Sequence, residues 1–345
     1  MRIFSYRNKR LFKRTLLTVL LVLLGVLALV VCRFIYVGRF VIYDSSGAHL
    51  DYEQHLSATR APEAAASDED FSFDTVLDAA SDEEDTSSQT GKLTGYYITT
   101  TMMAKDMDAV RAALSQMDDY NAVMIDVKSV YGSFYYSTAI SGAEKATVMD
   151  IKQVDQLISE LAQQKGVTLI ARVPAFSDPE YSLKHQSQAL PLYNGALWTD
   201  ENNCYWMNPY SNDVQGYLTS IALELANLGF DEVLFDDFYF PDSDRISWTG
   251  SVTKQEAILD AADNLSANLL NQSIRLDLGT SDPEVAAYAS RVFIATNNAS
   301  QIDSDKELLA DAIPDPAAGI VYITDSRDTR FDACGAMRPL LDETE

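Results

Sequence analysis

The chain has 345 residues and a formal net charge of -25, from 26 basic and 51 acidic side chains. That balance excludes a nucleic-acid binder, which needs Lys and Arg in excess along the phosphate backbone. With 47% hydrophobic residues the chain is also no disordered protein, because it can bury a large core.

The charge is unevenly spread. From Met1 to Tyr43 there are eight basic residues and no acids, whereas Asp44 to Thr90 carry thirteen acids and one Arg. Residues 1–14 form a basic tail. Residues 15–37 follow as a nearly unbroken apolar run, long enough for a bilayer that needs about 20 residues. Arg2, Arg7, Lys9, Arg10, Lys13 and Arg14 outnumber Arg33 and Arg39 on the far side, so the tail is expected in the cytoplasm and the rest outside. No small-x-small cleavage site follows the run, which reads as an uncleaved signal anchor. Residues 38–92, rich in Ala, Ser, Asp and Glu, read as an acidic, disordered tether.

From residue 93 to 345 the pattern alternates strand and helix. Strands are expected at Thr94 to Thr99, Ala122 to Lys128, Val167 to Ala175, Glu232 to Phe238, Ile274 to Leu278, Val292 to Thr296 and Gly319 to Thr324. Helices fall between them, as at Met149 to Gln164, where Ile151, Val154, Ile158 and Leu161 recur at helical spacing. Seven such units over about 250 residues indicate an α/β fold of the (β/α)8 TIM-barrel type. After Asp325 no clear strand remains, so the barrel is expected to be incomplete at its carboxyl end, or closed by Ser133 to Ser137.

Side chains two apart on a strand share a face. That rule turns Met124, Asp126 and Lys128 inward on the second strand and Ile170, Arg172 and Pro174 inward on the third. On the fourth it turns Leu234, Asp236 and Phe238 inward, and Tyr96, Asp277 and Asp325 are expected to join them. Asp236 and Asp237 stand at a strand exit, where barrels build active sites and where an unused carboxylate is costly. The bland reading of Asp126, Lys128, Arg172 and Asp236 is a satisfied salt-bridge plug; the functional one is a polar mouth. Tyr131, Trp198, Trp206 and Tyr239 lie in the loops after these strands, as sugar-stacking rings or as a mini-core under long loops. His185 alone among three histidines lies in the folded part, which excludes a His-rich zinc site, and no metal or organic cofactor is implied. Cys204 and Cys334 read as unpaired core thiols rather than a disulfide.

Five segments carry a resemblance: Gly95-Tyr-Tyr-Ile-Thr99, Asn121 to Lys128, Ile170 to Asp178, Trp206-Met-Asn-Pro209 and Gly229 to Pro241. Together they resemble the bacterial putative glycoside hydrolase domain family, an amylase-like β/α barrel, over residues 93–241. The resemblance implies hydrolysis of an oligo- or polysaccharide through paired carboxylates. Asp236 would be nucleophile or base, and Asp237, Asp126 and Asp277 candidate acids. Lys128, Arg172, Trp198, Trp206, Asn208, Tyr239 and Asp325 would bind substrate. The sequence departs from the amylases in having Leu234 where they carry Arg and no Glu after the fifth strand. The missing Glu and the shortened carboxyl end favour the rival reading, a non-catalytic barrel that binds carbohydrate or cell wall; a scaffold without sugar affinity is a third.

Overall fold

The structure, a computed structural model, describes residues 91–249 and 251–341, together with the backbone of 41–44 and 47–50. The apolar run read as a membrane anchor lies outside the described residues. No described helix is long and apolar enough to cross a membrane. Within the stretch read as a tether, Val41–Asp44 pairs antiparallel with Gly47–Leu50, a pairing that the β-forming Val41, Ile42 and Tyr43 suit.

Eight parallel strands make the barrel: β1 (Thr94–Ile98), β2 (Ala122–Asp126), β3 (Thr168–Pro174), β4 (Glu232–Asp236), β5 (Arg275–Leu278), β6 (Arg291–Ala295), β7 (Ile320–Ile323) and β8 (Gly335–Pro339). They neighbour one another in chain order and the ring is closed, with β8 paired to both β7 and β1. The expected gap at the carboxyl end is therefore absent. β8 is Gly-Ala-Met-Arg-Pro, with no β-branched residue, so only its neighbours make it a strand. Ser133 to Ser137 does not close the ring; Ser133–Phe134 pairs outside it with Glu144–Lys145.

Strands β3, β4 and β5 are each delivered by a helix whose ends are written locally. The helix α1 (Ile151–Ala162) starts where the Asp150 side chain accepts from the Lys152 N–H, and it buries Val154, Leu157, Ile158 and Leu161. The helix α2 (Asn212–Asn227) stops at Gly229, whose φ of +92° suits glycine. Gly229 N donates to the Ala226 carbonyl and Phe230 N to the Leu225 carbonyl, the paired bonds that turn the chain out of α2 and into β4. The helix α3 (Lys254–Leu269) opens with a reciprocal cap between Thr253 and Glu256.

Two apolar layers follow from the strand alternation. Val123, Ile125, Val173, Val233 and Phe235 pack outward against the helices, while Met124, Ile170, Leu234, Phe293, Val321 and Met337 fill the barrel. Two expected orientations differ. Tyr97, not Tyr96, packs on the interior cluster, and Tyr96 stacks edge-on to Tyr120 outside. Phe238 lies past the end of β4 and packs on Phe176 beneath the loops, because alternation ends with the strand.

Candidate active site

The interior side chains become charged at both ends of the barrel. At the amino-terminal end Glu232 opens β4, fully buried, and ion-pairs with Arg275 and with Arg291 at 3.3 Å. Asp277, also fully buried, sits beside this group at the level of Leu234, two residues below Gly279. Burial and the Glu232 charge push the Asp277 carboxyl well above the usual range, while burial of Glu232 is outweighed by Asp277, Arg291 and Arg275, which hold it low. The pair therefore keeps one proton, on Asp277, and one negative charge, on Glu232. Asp277 faces the interior as expected but does not join the acids at the mouth, since alternation fixes a face and not a height.

At the carboxyl end of the strands, β2, β3 and β4 each contribute one charged side chain. Arg172 donates to Asp236 Oδ2 from Nε at 2.7 Å and Nη2 at 2.5 Å, and its Nη1 stands 3.5 Å from Asp126 Oδ1. All three are part-exposed and line one cavity of about 240 Å³ together with Asp237, Tyr131 and Tyr135. Burial and the Asp236 charge push Asp126 up to about 6, although Arg172 and the Thr100 N–H oppose this. Asp237 is also pushed up to about 6, by burial, Asp236 and Asp200 against Arg172. Burial disfavours the Arg172 charge, but Asp236 and Asp126 outweigh it and hold the guanidinium firmly protonated. One fixed cation thus spans two carboxyl groups from different strands.

Asp237 leaves β4 in the left-handed region, φ +54°, so the chain turns sharply after Asp236. Across from it the exit of β5 carries Gly279, which sequence reasoning missed. A Cβ there would stand 2.3 Å from Asp236 Oδ1 and 2.8 Å from Asp236 Cα, so a residue without a side chain is required. No motif announces it; only the strand register exposes the contact.

The remaining sequence-predicted residues divide. Lys128 borders the same cavity, but its buried ammonium is 2.9 Å from the buried Asp178 carboxylate, not beside Asp236. Trp198 and Trp206 are buried, edge to face at 6.1 Å, with indole N–H groups donated to Ser243 Oγ and Asp200 Oδ2. They are chiefly the mini-core of the long loops. Tyr239 packs on Trp206 at 5.3 Å, yet stays exposed, and a second cavity of about 500 Å³ opens at its ring. Asn208 Oδ1 accepts from Tyr210 N within a turn and does not join the group. Asp325 is exposed in a third cavity of about 380 Å³, shared with Arg172 and Asn297. Cys204 and Cys334 are buried free thiols. Among the described residues no three His, Cys, Asp or Glu side chains gather as metal ligands.

Residues 95–286 match the model of a family described as "Putative glycosyl hydrolase domain". No curated protein matches the chain. Among solved structures, the chain is similar to a hypothetical protein from Ruminiclostridium thermocellum at 28% identity, over 53% of this chain and 96% of that one, with a TM-score of 0.46. It is similar to Aspergillus fumigatus Ega3, solved with galactosamine, at 12% identity over 73% and 92%, TM-score 0.45. The glycoside hydrolase domain of Pseudomonas aeruginosa PelA is similar at 17% identity over 68% and 84%, TM-score 0.42.

Proposed function

The chain belongs to the family described as a putative glycosyl hydrolase domain, and from that membership we propose that its barrel hydrolyses glycosidic bonds with Asp236 and Asp126 as the working pair. The observation that carries this reading is the single guanidinium of Arg172 touching both carboxyl groups at the carboxyl rim of the barrel. That guanidinium also fixes how the Asp236 carboxyl is presented to the cavity, the orientation a nucleophile or base needs. Asp126, raised to about 6, retains its proton into the mildly acidic range and serves as the acid. In the reaction Asp126 gives that proton to the glycosidic oxygen as the bond to the anomeric carbon breaks. Asp236 either attacks that carbon or takes a proton from the attacking water. Asp237 borders the same space and holds substrate hydroxyls beside the reacting centre. Incubating the protein with a panel of oligosaccharides and cell-wall polysaccharides, and counting new reducing ends, tests the reading. Absence of turnover on every glycan that binds would refute it.

The second reading is a non-catalytic glycan binder. It is favoured by Gly279 at the exit of β5, where no carboxylate stands. Binding without turnover, equal in the wild type and Asp236→Asn, distinguishes it.

The same proposal places the barrel outside the cell. Residues 15–37 cross the membrane with residues 1–14 in the cytoplasm, and residues 38–92 space the barrel from the bilayer; hydropathy and the basic bias of the tail support this. Protease added to intact cells would then remove the barrel, and full protection would exclude the topology.

A further inference from the structure

We infer that the cleft holds a sugar chain on both sides of the carboxyl pair, with Tyr131 and Tyr239 as its two stacking surfaces, so that the enzyme cuts within a polysaccharide rather than trimming its end. The inference rests on the hydrolase reading above and specifies its substrate. Of the aromatic rings exposed in the loops after β2, β3 and β4, two line cavities there: Tyr131, 59% exposed, follows β2, and Tyr239, 48% exposed, follows β4. Strand β3, with Arg172, stands between those two strands, so the loops carrying the tyrosines leave the barrel on either side of it. Each borders its own cavity, about 240 Å³ at Tyr131 and about 500 Å³ at Tyr239.

The loop that carries the first ring, and the second ring itself, are held in place. The loop carrying Tyr131 is pinned through Tyr136 and Thr138, each donating to Glu224 Oε2 at 2.7 Å, and through Ser137 N, 2.8 Å from Asp155 Oδ1. Tyr239 lies on Trp206, which Asp200 fixes through the indole N–H at 3.0 Å. Rings fixed before binding cost little entropy to use, which is what a stacking surface needs. An end-trimming site would be walled on one side. The acids Asp200, Glu201 and Asp242 line the Tyr239 cavity against one cation, Arg245, so the chain held there is neutral or amine-bearing rather than a polyuronide.

The test uses the full-length protein with soluble starch, mixed-linkage β-glucan and a partly deacetylated hexosamine polymer, following molecular mass and reducing ends together. Binding of the matching oligosaccharide series to Asp236→Asn, Tyr131→Ala and Tyr239→Ala is measured in parallel. The inference expects polymer mass to fall before monosaccharide appears. It expects affinity to keep rising beyond the disaccharide, and each tyrosine variant to weaken long chains by about fivefold or more while binding monosaccharide unchanged. Release of mono- or disaccharide with polymer mass unchanged would overturn this inference and leave hydrolysis standing. So would affinity that saturates at the disaccharide, or indifference to both tyrosines. Binding that depends on both tyrosines without turnover would support the two-sided site and refute the hydrolase reading instead.

Discussion

Arg172 directs two N–H groups, at 2.7 and 2.5 Å, onto the same oxygen of Asp236 while its third nitrogen reaches toward Asp126. Among the described residues, the second Asp236 oxygen accepts only the Asp237 N–H, at 3.0 Å. This division leaves one oxygen fixed by charge and the other tied to backbone at the cavity edge. Arg172→Met should therefore unlock the site, letting Asp126 and Asp236 repel one another directly. Turnover is expected to fall at least about 100-fold and stability by about 1–3 kcal/mol. Arg172→Lys should recover stability more than turnover, because an ammonium lacks the planar fork. Steady-state kinetics beside thermal unfolding checks the separation.

Gly279→Ala should disturb the same carboxylate from the neighbouring strand. The added methyl would meet Asp236 at 2.3 Å from Oδ1 and 2.8 Å from Cα, and backbone must move to relieve it. A loss of about 1–3 kcal/mol in chemical denaturation is expected, with turnover reduced further than folding requires. Wild-type turnover in this variant would remove Gly279 from the account.

The pH profile follows from two carboxyls raised to about 6. An acid that must hold its proton fails as pH rises through that value, so kcat/KM should fall above about pH 6. Asp126→Asn should abolish turnover. Asp237→Asn should leave the alkaline limb in place if Asp126 is the donor. The stability sign runs the same way: both folded-state values exceed the ordinary aspartate value of 3.8, so the folded state binds more protons between about pH 4 and 6. This contribution is complete below about pH 4 and lost as pH rises through 6. Denaturant midpoints across that range measure it.

The two buried acids Glu232 and Asp277 should respond unequally. Glu232→Gln strips the charge that pairs with buried Arg291 and should cost about 3–5 kcal/mol. Asp277 already carries a proton, so Asp277→Asn exchanges one neutral group for another and should cost under about 1 kcal/mol while leaving turnover intact. Urea unfolding of the two variants reads the contrast, and a large loss of turnover in Asp277→Asn would restore Asp277 to the catalytic group.

Alternation along β2, β3 and β4 was enough to put Asp126, Arg172 and Asp236 on one face, because each strand is regular and interior to the sheet. The same rule failed at Tyr96 and Phe238, which lie on the other face or beyond the last ladder bond. It also said nothing about depth: Asp277 faces inward level with Leu234, and the groups it interacts with are Glu232, Arg291 and Arg275 rather than Asp236. Strand β8 was invisible because Gly335 and Pro339 are poor strand formers whose pairing is supplied by β7 and β1. Gly279 and the open ring of Tyr239 emerge only from packing. Burial of Trp198 and Trp206 likewise depends on which loops fold over them.

Comparing hydrolysis by the wild type with that by Asp236→Asn, on a glycan both proteins bind and with folding verified by their unfolding midpoints, tests the central claim most directly. The account predicts new reducing ends from the wild type and a loss of at least about 1,000-fold in the variant, with binding retained. Equal turnover by the two proteins would contradict it.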